Sequence, residues 1–162
     1  MPKDVITEAR IALHLQTLRQ TPQCIAACTA GLDEQRLRTA PLPKEWSPVE
    51  VLAHLRGCAE VWSYSIYAML TLDNPELAHI HPRDWAKKLG YAKLSFGENF
   101  QAFEAGRKSL LRVLEGLPFA AWECSTRFIG RHNAFTIFGE TGRMALHEAQ
   151  HCEQIEAILL SK

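Results

Sequence analysis

His147 and His151 stand four residues apart in the string HEAQH, with Glu148 beside the first of them. On a helix that spacing stacks two imidazoles one turn apart, an arrangement that captures a divalent ion from one side. The same string satisfies H-E-x-x-H, in which the glutamate is the general base of a zinc protease. That reading needs a third ligand downstream. The remaining stretch, CEQIEAILLSK, contains no histidine, and its Glu153 and Glu156 share the helix of the pair. They cannot close a tetrahedral site around an ion held by His147 and His151. No strand segment is present to align a peptide by edge pairing, so the protease reading is set aside. The third ligand has to come from upstream, and His54 is the candidate.

Helical periodicity tells which way these rings face. Met144, His147, His151, Ile155 and Ile158 follow one another at steps of three and four, a single seam whose other members are core hydrophobes. Glu148 sits about 100° around the helix and points to the flank of that seam. Upstream, Val51, His54, Cys58, Val61 and Ser65 form a matching stripe. The plainer alternative is three imidazoles packed in helix interfaces. Each buried polar group left unpaired costs roughly 1–3 kcal/mol, and three inward rings therefore favour a metal. Three neutral imidazoles leave coordination positions for a water or a substrate atom. All-nitrogen ligation suits zinc, nickel, iron(II) or cobalt, and the sequence does not choose among them.

Other residues carry weaker signals. Cys58, one turn beyond His54, is a fourth ligand, a reactive thiol or a small buried hydrophobe, the last being commonest for free cysteine. Glu50 either orients a ligand ring or completes a capping box, the preferred reading. Arg131 and Arg143 are candidates for binding an anionic group, with surface arginine as the default. Trp46, Trp62, Trp85 and Trp122 are read as core and interface area. Cys24 and Cys28 read as packing residues, Cys152 faces elsewhere, and His79 and His81 belong to a solvated loop. His14 and His132 follow no usable pattern.

The elements that must hold these residues are helical. From Asp4 to about Ala30, Val5, Ile6, Ala9, Ala12, Leu13 and Leu18 mark one face; Pro22 is expected to kink or split the run, and Gly31 to stop it. A connector with Pro41 and Pro43 leads to Ser47-Pro48-Val49-Glu50, a capping box with proline at the first helical position. The second helix should run to about Thr71, ended by Asp73-Asn74-Pro75. A polar connector over residues 73–92 is expected to hold a short helix at Arg83–Leu89. A third helix is expected from Lys93 to Glu115, closed by Gly116, and residues 117–133 are read as irregular. The last helix should occupy Phe135 to Leu160, its first turns weakened by Gly139 and Gly142. No strand pattern is found. Four long helices imply an all-α, four-helix bundle, a single domain over residues 1–162.

Bulk properties narrow the function classes. Of 162 residues, 47% are hydrophobic and 22% charged, ordinary for a globular protein, and 18 basic residues balance 18 acidic ones. No basic excess points to nucleic acid, and no cationic amphipathic segment points to a membrane surface. The segment MPKDVITEARIALHLQTL carries charges throughout, which argues against a signal peptide or spanning helix and for a cytoplasmic protein. Five cysteines without a C-x-x-C pair suit reduced thiols.

WSPVEVLAHLRGCAEVW on the second helix, RKSLLRVLEGL on the third, and H-x-x-x-H followed by QIEAIL together resemble the DinB-like (DinB/YfiT-like) family over residues 5–160. The stretch WECSTRFIGRHNAF departs from the family pattern. The resemblance implies a four-helix bundle, often dimeric, with a divalent-metal site of one histidine on the second helix and two on the fourth. Carried over, these are His54, His147 and His151. Family branches include S-transferases using a low-molecular-weight thiol such as bacillithiol or mycothiol, a related isomerase, and proteins described as metal-dependent hydrolases. By resemblance, a metal-dependent thiol S-transferase or related hydrolase acting on a small molecule is the leading expectation. The partners expected are that substrate and a second copy of the chain. The competing expectation is a non-enzymatic, stress-associated dimer in which the metal is structural. A site open beside a pocket lined by residues 117–133 would favour catalysis; one sealed or filled by Cys58 would favour structure.

Overall fold

The computed structural model describes residues 5–161. Among them lie the helices α1 (Glu8–Thr29), α2 (Glu34–Leu37), α3 (Pro48–Thr71), α4 (Pro82–Lys88), α5 (Phe96–Glu115) and α6 (Ile137–Leu160). The long helices α1, α3, α5 and α6 form a four-helix bundle in which α1 and α3 each pack on both α5 and α6. No helix is long and apolar enough to cross a membrane among the described residues.

The caps set the boundaries. Ser47 and Glu50 form the expected capping box of α3, with Glu50 accepting from the Ser47 amide at 2.8 Å. Ser95 and Glu98 form a second box that starts α5 at Phe96, not at Lys93, which closes a 3₁₀ turn over Tyr91–Lys93. The expected start of α1 at Asp4 lies outside the described residues; Thr7 caps the helix at Glu8. Gly31, at φ +75°, supplies the left-handed residue after its C-terminus.

The apolar face read for α1 is corrected except at Leu18, which is buried. Val5 is 69% and Leu13 59% exposed, and the buried stripe is Ile11, Leu15, Leu18, Pro22 and Ile25. Both stripes have helical spacing; only the position of the neighbouring helices selects one. Pro22 does not split the helix, which runs through it from Glu8 to Thr29. A mid-helix proline forfeits a backbone bond at about 3 kcal/mol, and burial of its ring between Leu18 and Ile25 offsets part of that.

The absence of strands is also corrected. β1 (Glu76–Leu77), β2 (Ser125–Phe128) and β3 (Ala134–Thr136) form one sheet in that order. β1 pairs parallel with β2, with Leu77 opposite Phe128, and β2 antiparallel with β3, with Thr126 opposite Phe135. The sheet ties together the connectors before α5 and before α6, and Phe135 therefore belongs to β3 and not to the last helix. Strands this short fall below the length at which alternation can be detected.

Two apolar clusters fill the bundle. One gathers Leu15, Leu18, Val61, Ile66, Leu110 and Met144, the other Ile25, Leu52, Leu55, Phe103, Ile155 and Ile158. Between the two clusters a buried polar residue interrupts three of the helices, Thr21 on α1, Arg107 on α5 and Glu148 on α6, while His54 is buried on α3 between Leu52 and Leu55 of the second cluster.

Candidate metal centre

His54 projects from α3 and His147 and His151 from α6, and the structure brings all three together, their ligand nitrogens within 4.8 Å of one another. His147 Nε2 lies 3.1 Å from His54 Nε2 and 3.1 Å from His151 Nε2. An ion bound tetrahedrally through bonds of about 2.0–2.1 Å would set its nitrogens about 3.3–3.4 Å apart. Two of the three edges of the cluster are close to that spacing, and the site suits a divalent transition metal.

Neighbours hold the rings in place. His151 Nδ1 donates to Gln154 Oε1 at 2.7 Å, which leaves its Nε2 as the free donor atom for an ion. The sequence signal for this contact is the H-x-x-Q spacing of His151 and Gln154. Trp46 flanks His54 with ring centroids 5.1 Å apart and stacks on His151 at 6.4 Å; Trp62 meets His147 edge-on at 5.0 Å. Two of the four tryptophans are thus walls of the centre. Trp122 is core, and Trp85 donates its indole N–H to Glu60. Glu50 is spent on its capping box.

Burial keeps the rings neutral. It lowers His54 to about 3, helped by His147 and His151, and His147 to about 4, helped by His151 and Arg143. His151 is lowered too, again chiefly by burial, while its bond to Gln154 works the other way. A neutral imidazole is the form that binds a metal.

Metal-free protein should therefore be acid-sensitive through these rings. In the unfolded chain they take up protons near the ordinary value of 6.5, while folded His54 and His147 resist to about 3 and about 4. Their contribution is present above 6.5 and is lost as pH falls through that window. Urea unfolding of chelator-treated wild type and His54→Gln at pH 7.5 and 5 should show the steeper acid loss in wild type. The difference isolates the ring from Glu148, whose raised pKa acts with opposite sign.

Glu148 does not face the rings. It is 1% exposed and pairs with Arg107 of α5, itself 1% exposed, whose Nη1 also lies 2.9 Å from Met144 Sδ. Burial pushes the Glu148 carboxyl up to about 7 against the attraction of Arg107. The sequence placed this glutamate on the flank of the seam, and the structure shows that flank to be the interior of the bundle. A general-base role of the zinc-protease kind is excluded by this placement.

Cys58 is 2% exposed, its Sγ 3.5 Å from His54 Nε2 and 4.0 Å from His147 Nε2. Burial, with Glu148, pushes its thiol up to about 12 before any ion is bound, and the sulfur lines the inner side of the ring cluster. Cys152 is buried on α6 and its thiol points to the Thr21 carbonyl of α1. Arg143 lies over Trp62 at 4.4 Å and pairs with Glu140, while Arg131 contacts His79. His79, His81 and His132 are exposed, and His14 packs on Phe138.

The centre opens sideways. A pocket of about 410 Å³ reaches His54 and is lined by Trp46, Arg83, Lys87 and Lys93. Its outer wall comes from the connector before α5. The wall from residues 117–133 that would have favoured catalysis is not at this pocket: in that stretch Phe128 and Arg131 line a separate cleft beside Trp62.

Comparison with known proteins agrees with this architecture. A protein of Geobacillus thermodenitrificans named "Putative metal-dependent hydrolase" is 22% identical over 144 residues, 89% of this chain and 81% of that protein. YfiT from Bacillus subtilis, described with its structure as a probable metal-dependent hydrolase with an unusual four-helix bundle topology, superposes with a TM-score of 0.84 at 14% identity. The match covers 98% of this chain and 90% of YfiT, and at that identity it speaks to the fold. Residues 17–155 match the family model of the DinB superfamily. This chain belongs to the DinB superfamily and carries a three-histidine site suited to a divalent metal.

Proposed function

We propose that this protein is a metal-dependent S-transferase, joining a low-molecular-weight thiol to an electrophilic small molecule. The observation that carries the reading is a cluster of three neutral imidazoles, one of which, His54, lines a pocket, and whose neighbouring glutamate is turned into the bundle core. A divalent ion bound there would lower the pKa of a coordinated thiol or water. His54, His147 and His151 would hold it. Trp46 and Trp62 keep bulk water from two sides of the rings.

Thiol transfer asks little else of the chain. The thiol loses its proton to solvent, its sulfur forms a bond to the electrophilic carbon, and the leaving group departs with the electron pair. Hydrolysis asks for more, a base for the water and a proton for the leaving group. Glu148 is committed to Arg107 and Glu50 to Ser47. The second reading, a hydrolase, is supported by the names of both relatives.

One experiment separates them. Metal-loaded protein is incubated with a chloronitroaromatic electrophile and bacillithiol, mycothiol or glutathione, and in parallel with an activated ester and no thiol. The expected result is a thioether formed only with thiol and lost in His54→Ala. Thiol-independent ester cleavage would favour the hydrolase. An ion that stabilises the fold with turnover in neither assay would return the protein to the non-enzymatic reading.

A further inference from the structure

The pocket beside His54 is charged in one sense. Arg83, Lys87 and Lys93 line it, against Glu50 as the one acidic residue, and Glu50 is held by the Ser47 amide and hydroxyl. None of the three cations has a carboxylate partner within ion-pair distance among the described residues, whereas Arg19, Arg38, Arg56, Arg107, Lys108 and Arg143 all do. Small residues, Ala53, Ala86, Gly90 and Ala92, complete the lining and leave the volume open.

This wall is fixed to the bundle. Glu60 of α3 accepts from Trp85 Nε1 at 2.8 Å, from the Tyr91 hydroxyl, and from Arg56 Nε at 2.9 Å. The Arg56 guanidinium lies 3.8 Å from the Tyr91 ring centroid, and Asn99 Nδ2 donates to the Tyr91 carbonyl at 2.9 Å. Gly57 lets α4 lie against α3: a β-carbon there would come within 2.9 Å of Ala86 Cβ and 3.1 Å of the Pro82 carbonyl. The connector is thus anchored at both ends of α4. Arg83 lies over Trp46 at 5.4 Å, and Trp46 flanks His54. Its charge acts on all three histidines.

We propose that this pocket binds an oxyanion, a carboxylate or phosphate group, on the small molecule presented to the three-histidine centre, with Arg83 as anchor and Lys87 and Lys93 as further contacts. Unpaired guanidinium and ammonium groups beside a divalent ion select for anions and against cations. Arg83 offers a planar fork and can bind such a group through two parallel bonds. The substrate class deepens the transferase reading and rests on it, but anion capture by the pocket can be measured without turnover.

The test uses full-length, zinc-loaded protein titrated with succinate and with inorganic phosphate, followed by calorimetry and by amide chemical shifts. Wild type should bind at least one of them saturably, and which one binds tells carboxylate from phosphate. Arg83→Ala should weaken binding roughly 10-fold or more, the loss of one charge-assisted bond, with zinc content unchanged. Arg83→Lys should recover only part of it, and added salt should weaken wild type more than Arg83→Ala. Lys108→Ala, an exposed cation of α5 paired with Glu104, should bind like wild type. Absence of saturable binding by wild type, or equal binding by Arg83→Ala, overturns the proposal. So does binding that survives Arg83→Ala but disappears when zinc is removed, since the anion would then sit on the metal. Binding that persists in zinc-free protein and falls in Arg83→Ala supports the pocket even if the metal reading fails.

Discussion

His54→Ala should release the metal. Removal of a partner that merely orients a ligand costs about 10–100-fold in metal affinity, and removal of a ligand itself should cost more. The remaining pair, His147 and His151, lies on adjacent turns of α6 and closes only one side of the ion. Metal analysis of untagged protein should find about one ion per chain in wild type and almost none in the variant. Stability gives an independent readout. At free metal about 100 times its dissociation constant, binding adds about 2.7 kcal/mol, which for a chain of this size is a melting shift of roughly 5–10 °C. A chelator should remove that shift from wild type and change little in His54→Ala. His132→Ala, an exposed ring away from the centre, should behave as wild type. Equal metal content in wild type and His54→Ala would remove the centre and the chemistry built on it.

The second large effect concerns the buried pair of Arg107 and Glu148. Arg107→Ala should destabilise the fold by about 3–5 kcal/mol, because Glu148 would be left charged or protonated in the bundle interior with no partner. Total stabilities of about 5–15 kcal/mol make that a large share, and partial unfolding at physiological temperature is the expected consequence. The double variant Arg107→Met/Glu148→Leu should recover most of the loss, since apolar residues of similar volume remove both desolvation costs together. Urea midpoints of the single and double variants decide this. Equal midpoints would show that the pair does not act as a unit. If the double variant folds, it should also keep its metal and its turnover, because Glu148 contacts Arg107 and not the ligand nitrogens. Loss of turnover with metal retained would instead return Glu148 to the chemistry.

Much of this was legible from residue types and spacing. The inward stripe of α3 and the seam of α6 follow from a helical period alone, and each stripe residue from Val51 to Ser65 is buried as that period requires. Ser47-Pro48-Val49-Glu50 fixed the start of α3, and the same local chemistry at Ser95 and Glu98 would have fixed that of α5. Capping boxes and periodicity are local, decided within one or two turns of chain. Two histidines on one seam and a third on another are therefore enough to expect a shared centre, provided the two helices are neighbours.

Neighbourhood is what the tertiary structure decided. It chose which of two stripes on α1 is buried, leaving Leu13 exposed and covering Leu15. It turned the flank carrying Glu148 into the interior, because α5 lies on that side with Arg107. It paired strands of two to four residues across more than forty positions of chain, where no local pattern could announce them. It also carried Arg83, Lys87 and Lys93 to the mouth of the centre through contacts of Glu60 and Gly57. Period and caps depend on residues a few positions apart and can be read from one segment. The charge and shape of the pocket depend on which segments meet, a property of the packed chain alone.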